Sequence, residues 1–390
     1  MTNDLMFMMP NYHAATEVWL WRMIALLEDQ LSMIVVKDST GATYWGKSIP
    51  VLSLRSNSAK IKGLTSLAQR LGLELTTSSR SGSPKVLKEI SRHNIGKILC
   101  QYGTFAAQNL ELLEQSGLPL FIHFHGYDVF FDLCQAETPG KPIHPKNYIE
   151  DLKQLEKKAI FIAGSEFMKR KLVIAGFAAD NIHVKYYGVP IPDTQKIHHK
   201  TEDLQILHLG RLVDFKSPDR TIKAFEIARF RGLRANLVMV GNGPLKVTCE
   251  LLRSRSDYRD SITILDSISP EQAQKLYLES DIYTQHNVTG EITNQAEGFG
   301  VSILEAMASG LPFVGTRSGG IVESVVENVT GVLNEPGDVE AQANSLIELA
   351  QNPDLRQQMG EAGRKRVAEH FSPEQEKNQL IQIMGLEGNS

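Results

Sequence analysis

The chain has 390 residues, of which 42% are apolar and 22% are charged, and its formal net charge is −4. This length exceeds what one hydrophobic core usually serves, so we expect two domains. The near balance of 41 basic and 45 acidic residues argues against a strongly basic surface and therefore against a nucleic-acid partner.

Cysteine usage and the N-terminal sequence predict a cytoplasmic protein. The three cysteines are scattered through apolar stretches, as is typical of buried free thiols in a reducing compartment. The segment MTNDLMFMMPNY has neither a basic region nor a clear cleavage site, so we interpret the two Asn-Val-Thr sequons as chance matches. No apolar run approaches the roughly 20 residues that span a bilayer. The basic segment 153–171 is either a solvated helix face or a peripheral membrane contact.

Short apolar runs alternate with helical periodicity along the chain, which is the pattern of parallel sheets with crossover helices. A helix is predicted over residues 14–29. The strands predicted in the first half are 5–9, 31–36, 97–102, 119–124, 159–163 and 182–187.

A stretch with two prolines and a polar tail, GVPIPDTQKIHHK, interrupts this pattern and indicates an interdomain linker. We place the linker at 191–203, between a first domain of 1–190 and a second domain of 204–372. The C-terminal residues 373–390 are predicted to form a helix that could cross back to the first domain. The strands predicted in the second half are 204–210, 235–241, 261–265, 281–286, 311–315 and 331–335.

The segment EGFGVSILE, residues 297–305, is the strongest functional signal in the chain. Gly298 and Gly300 allow the backbone to approach a ligand, and the helix that begins after them offers N–H groups to an anion such as a phosphate. Glu297 lies before that helix and Glu305 about one turn inside it, so both can accept hydrogen bonds from hydroxyl-rich groups such as a sugar and a ribose. Taken alone, the segment also fits an ordinary amphipathic helix.

Two further loops lie at strand ends, where open parallel sheets bind their ligands. Arg211 and Lys216 follow strand 204–210 at the start of a helix, and two cations with a helix dipole suit a diphosphate; ordinary surface charges are the alternative. Gly241 and Gly243 follow the next strand. They allow close approach to a ligand, but Gly-Asn-Gly-Pro is also a common strand-to-helix turn.

The first half has one comparable cluster, His123-Phe-His125-Gly-Tyr-Asp128, at the end of strand 119–124. A metal site is one interpretation, but no further spaced ligand accompanies these residues, so we predict no metal. We favour a polar contact from His125 at the interdomain cleft, with His123 as a hydrogen-bonded structural residue. The loop 11–14 is expected to face the same cleft.

Together these motifs resemble the retaining glycosyltransferases of family 4, within the glycosyl transferases group 1, and are similar to bacterial exopolysaccharide and colanic-acid-type enzymes. The resemblance is most specific in GRLVDFKSPD, VGNGPL and EGFGVSILEAMASGLPFVGTRSGGIVESVVENVTGVLNEPGD, and weaker in FIHFHGYDVF and FIAGSEFMKRKL. It covers most of the chain. It implies the GT-B fold, an α/β architecture of two facing Rossmann-like domains with parallel sheets and a donor cleft between them.

The resemblance also implies a role for each motif residue. Arg211 and Lys216 match the family's diphosphate-binding pair, Glu305 the residue that holds the donor ribose, and Glu297 the residue at the donor-sugar hydroxyls. His125 matches a first-domain histidine that approaches the donor sugar near the reacting carbon. We predict that His125, Glu297, Lys216 and Arg211 are catalytic. The other predicted donor-binding residues lie in glycine turns and are Gly241, Gly243, Gly298, Phe299, Gly300 and Val301.

Metal independence is predicted because no Asp-x-Asp motif occurs and because a cation pair with a helix N-terminus can stabilise the departing diphosphate. No cofactor is expected beyond the nucleoside-diphosphate sugar, which is the donor substrate. Retention would follow from a front-face displacement, as proposed for the family. Family members often carry a glycine-rich loop after the first strand, whereas residues 11–16 read NYHAAT here, so acceptor contacts could come from Tyr12 and His13 instead.

The sequence thus predicts a hexosyltransferase that acts on a glycan or a lipid-linked saccharide in polysaccharide biosynthesis. Two alternatives use the same fold. One is a nucleotide-sugar epimerase or hydrolase, and the other is a non-catalytic nucleotide-sugar-binding partner of another transferase. The donor base, the donor sugar and the acceptor stay open.

Overall fold

The architecture comes from a computed structural model that describes residues 4–11, 18–38, 49–54, 83–135, 138, 140–194 and 203–386. The chain divides by its internal contacts into two compact units. The first unit is Met1–Asp128, Pro145–Ala163 and Ala175–His183, and the second is Val129–His144, Gly164–Ile174 and Val184–Ser390.

The first sheet is built from β1 Leu5–Asn11, β2 Leu31–Asp38, β3 Val51–Ser53, β4 Lys97–Gln101, β5 Leu120–Phe124, β6 Ala159–Ala163 and β7 Ile182–Val184. In the described part of the chain it has seven strands in the order β3-β2-β1-β4-β5-β6-β7. The pairings from β3 through β6 are parallel. Residues 5–9 of β1 are at most 1% exposed, because helices cover both faces of a parallel sheet, and this explains their continuous apolar sequence.

Six helices accompany these strands within the described residues. They are α1 Val18–Leu26, α2 Ser83–Arg92, α3 Gly103–Gln108, α4 Leu110–Ser116, α5 Tyr148–Glu156 and α6 Glu166–Ile174. Helix α6 belongs to the second unit by its contacts.

The second sheet is built from β8 Leu204–Leu209, β9 Ala235–Val240, β10 Ile262–Leu265, β11 Ile282–Thr284, β12 Phe313–Thr316 and β13 Gly331–Asn334. Within the described ranges it has six strands in the order β10-β9-β8-β11-β12-β13, all in parallel pairs. The order reverses between β8 and β11. In a doubly wound sheet, a crevice for ligands forms where the order reverses, at the carboxyl ends of the strands.

The helices of the second unit pack on both faces of its sheet. Beyond α6 they are α7 Pro218–Phe230, α8 Lys246–Arg255, α9 Pro270–Glu279, α10 Val301–Ala308, α11 Ile321–Ser324, α12 Val339–Gln351, α13 Pro353–His370 and α14 Pro373–Met384. One hydrophobic core contains Ile206 of β8, Phe225 of α7 and Leu346 of α12, each at most 1% exposed. Helix starts follow their sequence signals: Pro218 opens α7, and Ser269 forms a capping box with Gln272 in α9.

The predicted doubly wound α/β architecture is confirmed, with small differences at element ends. Strand β3 was not predicted, since its three residues are only half-buried and lack a distinct apolar run. The strand predicted over 182–187 ends at Val184. It ends there because the next backbone amides turn to α14: Tyr186 N donates to Gln379 and Gly188 N to Glu376, both over 2.9 Å.

The predicted C-terminal helix is α14, and its contacts with residues 184–189 lie inside the second unit. The predicted helix 14–29 corresponds to α1 followed by a short turn of 3-10 helix, Glu28–Gln30, while residues 14–17 lie outside the described part of the chain. Most of the predicted linker, residues 195–202, also lies outside it.

Within the described ranges, no helix is both long enough and apolar enough to cross a membrane.

Candidate functional site

The loops after β8 and β9 lock together through their backbones. Gly210 N donates to Val240 O over 3.0 Å, and Leu212 N donates to Asn242 O over 2.9 Å. Gly241 has φ of +150°, and a Cβ there would lie 1.9 Å from Gly210 O. Close approach thus explains this glycine, but the group approached is the neighbouring loop.

Gly243 serves the same contact between loops. Its φ is +153°, and a Cβ at this position would lie 2.4 Å from Leu212 O. The two glycines therefore hold the loop that carries Arg211 and Lys216 against the loop after β9. Gly241 and Gly243 are thus required for the packing between the two loops.

Lys216 and Glu297 form an ion pair near the reversal point of the second sheet. Lys216 Nζ lies 2.7 Å from Glu297 Oε2, and the two side chains are 10% and 13% exposed. Asn287 Nδ2 donates to the same oxygen over 3.3 Å. Two predicted site residues that are 81 positions apart in sequence therefore lie in direct contact.

The surroundings of Glu297 favour the charged form of its carboxyl group. Burial alone would raise the pKa of the Glu297 carboxyl, but the Lys216 ammonium and the Arg211 guanidinium outweigh it and hold the pKa below its ordinary value of 4.5. Arg211 is exposed, and its guanidinium lies 5.6 Å from the centroid of the Phe215 ring. The Lys216 ammonium lies 5.9 Å from the same centroid. The loop therefore presents one exposed and one largely buried cation beside Glu297.

The glycine turn before α10 is held by backbone contacts from two sides. Ser165 Oγ donates to Gly298 O over 2.8 Å, and Gly320 N donates to Glu297 O over 3.0 Å. Gly300 takes φ of +90° as the residue before the helix. Val301 then begins α10, and the first amides of a helix have no acceptor within the helix, so they can bind an anion.

Phe299 anchors this turn through its side chain. The ring is 2% exposed and stacks on Tyr186, with centroids 5.3 Å apart and planes 24° apart. Tyr187 and Phe371 complete an aromatic cluster at 5.8 and 5.5 Å. The sequence assigned Phe299 a backbone role only, and the structure adds this packing role.

Glu305 lies on the first turns of α10 and is partly exposed. The hydroxyl of Tyr277, a residue 2% exposed, lies 3.3 Å from Glu305 Oε2 and 3.3 Å from Ser302 O. The Tyr277 hydroxyl can thus donate a hydrogen bond to the Glu305 carboxylate. Sequence reasoning missed this tyrosine, because it lies within the helical pattern of α9 and carries no motif.

Asp214 connects the long loop 287–296 to the loop 210–217, which carries Arg211 and Lys216 and is called the cation loop below. Its carboxylate accepts hydrogen bonds from Thr293 Oγ1 over 2.8 Å, from Thr293 N over 2.9 Å and from Ile292 N over 3.2 Å. Val288 N donates to Phe215 O over 2.9 Å. The acidic residue inside the motif GRLVDFK was the sequence signal available for this anchor.

The first unit contains the predicted residue His125 in a cluster of rings. Its centroid lies 4.1 Å from the Trp19 ring, 4.7 Å from Tyr102 and 4.1 Å from His123. His125 Nε2 lies 2.8 Å from Gln101 Oε1, and His123 Nδ1 lies 3.1 Å from the same oxygen. His123 is fully buried, as expected for a structural histidine.

Asp128 holds the turn that follows His125. Its carboxylate accepts backbone hydrogen bonds from His125 N over 2.8 Å, Gly126 N over 3.0 Å and Gly103 N over 3.0 Å. Burial raises the pKa of Asp128 to about 6, although these three bonds favour the charged form. Backbone amides thus bind both oxygens of Asp128, and this side chain supports the turn that follows His125.

Among the described residues, no group of three or more His, Cys, Asp or Glu side chains is arranged to hold a metal ion. The loop residues Tyr12 and His13, which were considered for acceptor contacts, lie outside the described ranges.

A known protein family matches part of the second unit. Residues 191–366 match the model of the family "Glycosyl transferases group 1". That range contains the cation loop, both glycine turns and the two glutamates.

Curated relatives agree with this assignment. The chain is 28% identical over 288 residues to the amylovoran biosynthesis glycosyltransferase AmsK of Erwinia amylovora, covering 72% of this chain and 67% of that protein. It is 30% identical over 175 residues to a GDP-mannose-dependent alpha-(1-6)-phosphatidylinositol monomannoside mannosyltransferase of Mycobacterium tuberculosis, covering 45% of this chain and 46% of that protein. The chain thus spans less than half the length of the second relative.

Solved structures share the fold. The HepE protein of Anabaena, crystallised in complex with UDP, superimposes with a TM-score of 0.74 at 16% identity, over 98% of this chain and 99% of that one. Sucrose-phosphate synthase of Thermosynechococcus elongatus gives a TM-score of 0.75 at 15% identity, over 97% of each chain. The chain therefore has the GT-B fold, and its residues 191–366 match the family of the glycosyl transferases group 1.

Proposed function

We propose that this protein is a retaining, metal-independent hexosyltransferase that moves a sugar from a nucleoside-diphosphate donor to a saccharide acceptor. The observation that carries the proposal is the Lys216–Glu297 ion pair beside Arg211, at the reversal point of the second sheet. A cation loop and a helix start together suit a diphosphate, and two carboxylates suit the hydroxyls on either side of it.

The proposed chemistry needs positive charge at the leaving group. When the bond between the sugar C1 and the diphosphate oxygen breaks, negative charge develops on that oxygen. The Arg211 guanidinium, the Lys216 ammonium and the first amides of α10 can stabilise it without a metal ion or other cofactor. Lys216 is already held in position by Glu297, so little reorganisation accompanies the reaction.

The proposed stereochemistry is retention by front-face displacement. The acceptor oxygen forms its bond to C1 on the face from which the diphosphate leaves, and the acceptor proton passes to a diphosphate oxygen. In this reaction His125 is a catalytic residue, Glu297 binds the sugar hydroxyls and Glu305 binds the ribose. The partly exposed Glu305 carboxylate, supported by Tyr277, fits an acceptor of hydroxyl hydrogen bonds.

The proposed partners follow from the relatives. A structural neighbour was crystallised with UDP-glucose, and a curated relative is named as GDP-mannose-dependent. We therefore propose a nucleotide-sugar donor without assigning its base, and a glycan or lipid-linked saccharide as acceptor. The names of two relatives, which refer to amylovoran and to capsular polysaccharide, favour a role in polysaccharide biosynthesis. A cytoplasmic location with peripheral membrane contact is a further part of the proposal.

The test begins with a thermal-shift screen against UDP-, GDP- and ADP-sugars, since a ligand that binds only the folded state raises the unfolding temperature. The donor that binds is then incubated with candidate saccharides in the presence of EDTA, and products are identified by mass spectrometry and by NMR of the anomeric proton. We expect acceptor-dependent transfer with the donor's anomeric configuration retained.

Three results would overturn parts of this proposal. Donor consumption without acceptor would indicate an epimerase or hydrolase. Donor binding without any turnover would indicate a non-catalytic partner. Full transfer activity in both Glu305→Ala and Lys216→Ala would contradict the assigned site.

A further inference from the structure

Gln101, at the end of β4, joins two histidine rings through one oxygen atom. The residue is fully buried, and its Oε1 lies 3.1 Å from His123 Nδ1 and 2.8 Å from His125 Nε2. The two rings lie 4.1 Å apart between centroids, with planes 61° apart. A carboxamide oxygen can only accept hydrogen bonds, so each ring nitrogen that faces it must carry a hydrogen.

This contact selects one tautomer of each neutral ring. His125 carries its hydrogen on Nε2 and keeps the lone pair on Nδ1, whereas His123 carries its hydrogen on Nδ1. In a neutral imidazole the bond made by one nitrogen fixes the state of the other. A free imidazole would also rotate about its side-chain bonds, and the bond to Gln101 restricts that rotation for His125.

We propose that Gln101 is a positioning residue for His125, which orients its ring and holds its hydrogen on Nε2. The catalytic consequence rests on the proposed function, in which His125 acts on the reaction. The tautomer itself does not, because it is a property of the folded chain.

The backbone next to Gln101 supports this assignment. Tyr102 has φ of +69°, an uncommon conformation for a residue with a side chain. Such a conformation persists where the surroundings enforce it. Here it brings the Tyr102 ring to 4.7 Å from His125, while Tyr102 N donates to His123 O over 2.8 Å. Two consecutive residues therefore contact the same histidine.

The test reads the state of His125 directly. The protein is labelled with ¹⁵N-histidine, and long-range proton–nitrogen spectra are recorded across pH, with the His125→Ala variant used to assign the His125 signals. Near His125, the titratable groups in the described part of the chain are His123, Tyr102, Tyr127 and Asp128. We expect neutral His125 in the wild type to be protonated at Nε2.

Three variants separate positioning from general stability. Gln101→Leu keeps most of the volume but removes the acceptor, so we expect a mixture of His125 tautomers. Gln101→Glu places a carboxylate against both rings and should raise the pKa of His125 by roughly 1–3 units. Gln154→Leu is the matched control, because Gln154 is exposed and bonds only to Glu114 among the described contacts, and it should leave the His125 spectrum unchanged.

Activity supplies the second readout. Gln101→Leu should lower kcat on the order of 10- to 100-fold, as expected when a catalytic group is misplaced, while the affinity for the nucleoside diphosphate stays unchanged. If Gln101→Leu fails to fold, Gln101→Glu carries the test through its spectrum.

The outcomes distinguish this inference from the proposed function. An Nε2-protonated His125 that changes with Gln101, in a protein that transfers no sugar, would support the inference and contradict the function. A His125 spectrum that is the same in wild type, Gln101→Leu and Gln101→Glu would overturn the inference, as would a wild-type His125 protonated mainly at Nδ1.

Discussion

Two carboxyl groups are shielded from water, Asp128 in the first unit and Glu297 in the second, but their pKa values shift in opposite directions. Asp128 is fully buried and accepts three backbone hydrogen bonds, and burial raises its pKa to about 6. Glu297 is 13% exposed and lies 2.7 Å from a lysine ammonium, and its pKa is lowered. Backbone amides therefore offset burial less effectively than cations do.

The difference shows what each region is built to do. The Asp128 turn is a scaffold in which backbone amides bind the carboxyl group next to His125, and burial makes the charged form of that carboxyl costly. The cation loop around Lys216 keeps a carboxylate charged, so it can also accept the charge of a diphosphate. The loop around Lys216 is therefore suited to bind an anion, whereas the hydrogen bonds to Asp128 fix the backbone next to His125.

The strongest way to break this comparison is Lys216→Ala. The substitution removes the cation that we propose as a counter-charge of the leaving group, and it leaves Glu297 with fewer partners. We expect transfer activity to fall about 100- to 1000-fold, comparable to the loss of one electrostatic stabiliser in other enzymes. Steady-state kinetics with the matched control Lys223→Ala, an exposed lysine on α7, checks this. Comparable losses in both variants would mean that overall charge, rather than this site, matters.

Asp128→Asn tests the scaffold side of the comparison. The folded-state pKa of Asp128 is raised from 3.8 to about 6, so its contribution to stability is present below the unfolded value and is lost as pH rises through about 6. The shift corresponds to about 3 kcal/mol between pH 3.8 and pH 6. Urea unfolding across that range should show this loss in the wild type and in the exposed control Asp180→Asn. It should be absent in Asp128→Asn, and an identical pH profile would contradict the assignment.

Glu297→Gln sharpens the opposite sign. Because the pKa of Glu297 is lowered below 4.5, its contribution to stability is present above that value and is lost as pH falls through the folded-state pKa. Unfolding measurements below pH 5 should show a weaker acid dependence in Glu297→Gln than in the wild type. Glu369→Gln, on an exposed helix face, should behave like the wild type.

Tyr277→Phe gives the smallest expected effect. It removes one hydroxyl behind Glu305 and leaves the ring in place. A hydrogen bond of this kind contributes about 0.5–1.5 kcal/mol, so the donor affinity should fall about 2- to 12-fold with little change in kcat. Calorimetric titration of the donor checks this, with Tyr258→Phe as the control. A loss in kcat alone would mean that Glu305 acts on the reaction rather than on donor binding.

Much of the candidate site in the second unit could be predicted from sequence because its residues lie in short motifs. Glycines, cations and carboxylates at strand ends are each visible locally, and a parallel sheet brings strand ends to one edge. That reasoning was sufficient to place Lys216 and Glu297 in loops at the same edge of the sheet, but it did not predict their ion pair. It could not show that Gly241 and Gly243 pack against the neighbouring loop, since that contact depends on the register between strands.

The supporting residues were not predictable in the same way. Gln101 and Tyr277 lie inside ordinary strand and helix patterns, and only the tertiary structure shows which side chains they contact. Asp214 was visible within a motif, but its partner Thr293 follows 79 positions later. Side chains that orient a site act through contacts between distant parts of the chain, and a single sequence does not report these.

Binding of a nucleoside diphosphate tests the central claim most directly. Calorimetric titration of UDP, GDP and ADP into the protein in the presence of EDTA should reveal binding of at least one of them, and Lys216→Ala should weaken it at least about tenfold, while Lys223→Ala should not. Binding that requires a divalent metal ion, or that is equally strong in wild type and Lys216→Ala, would contradict the account.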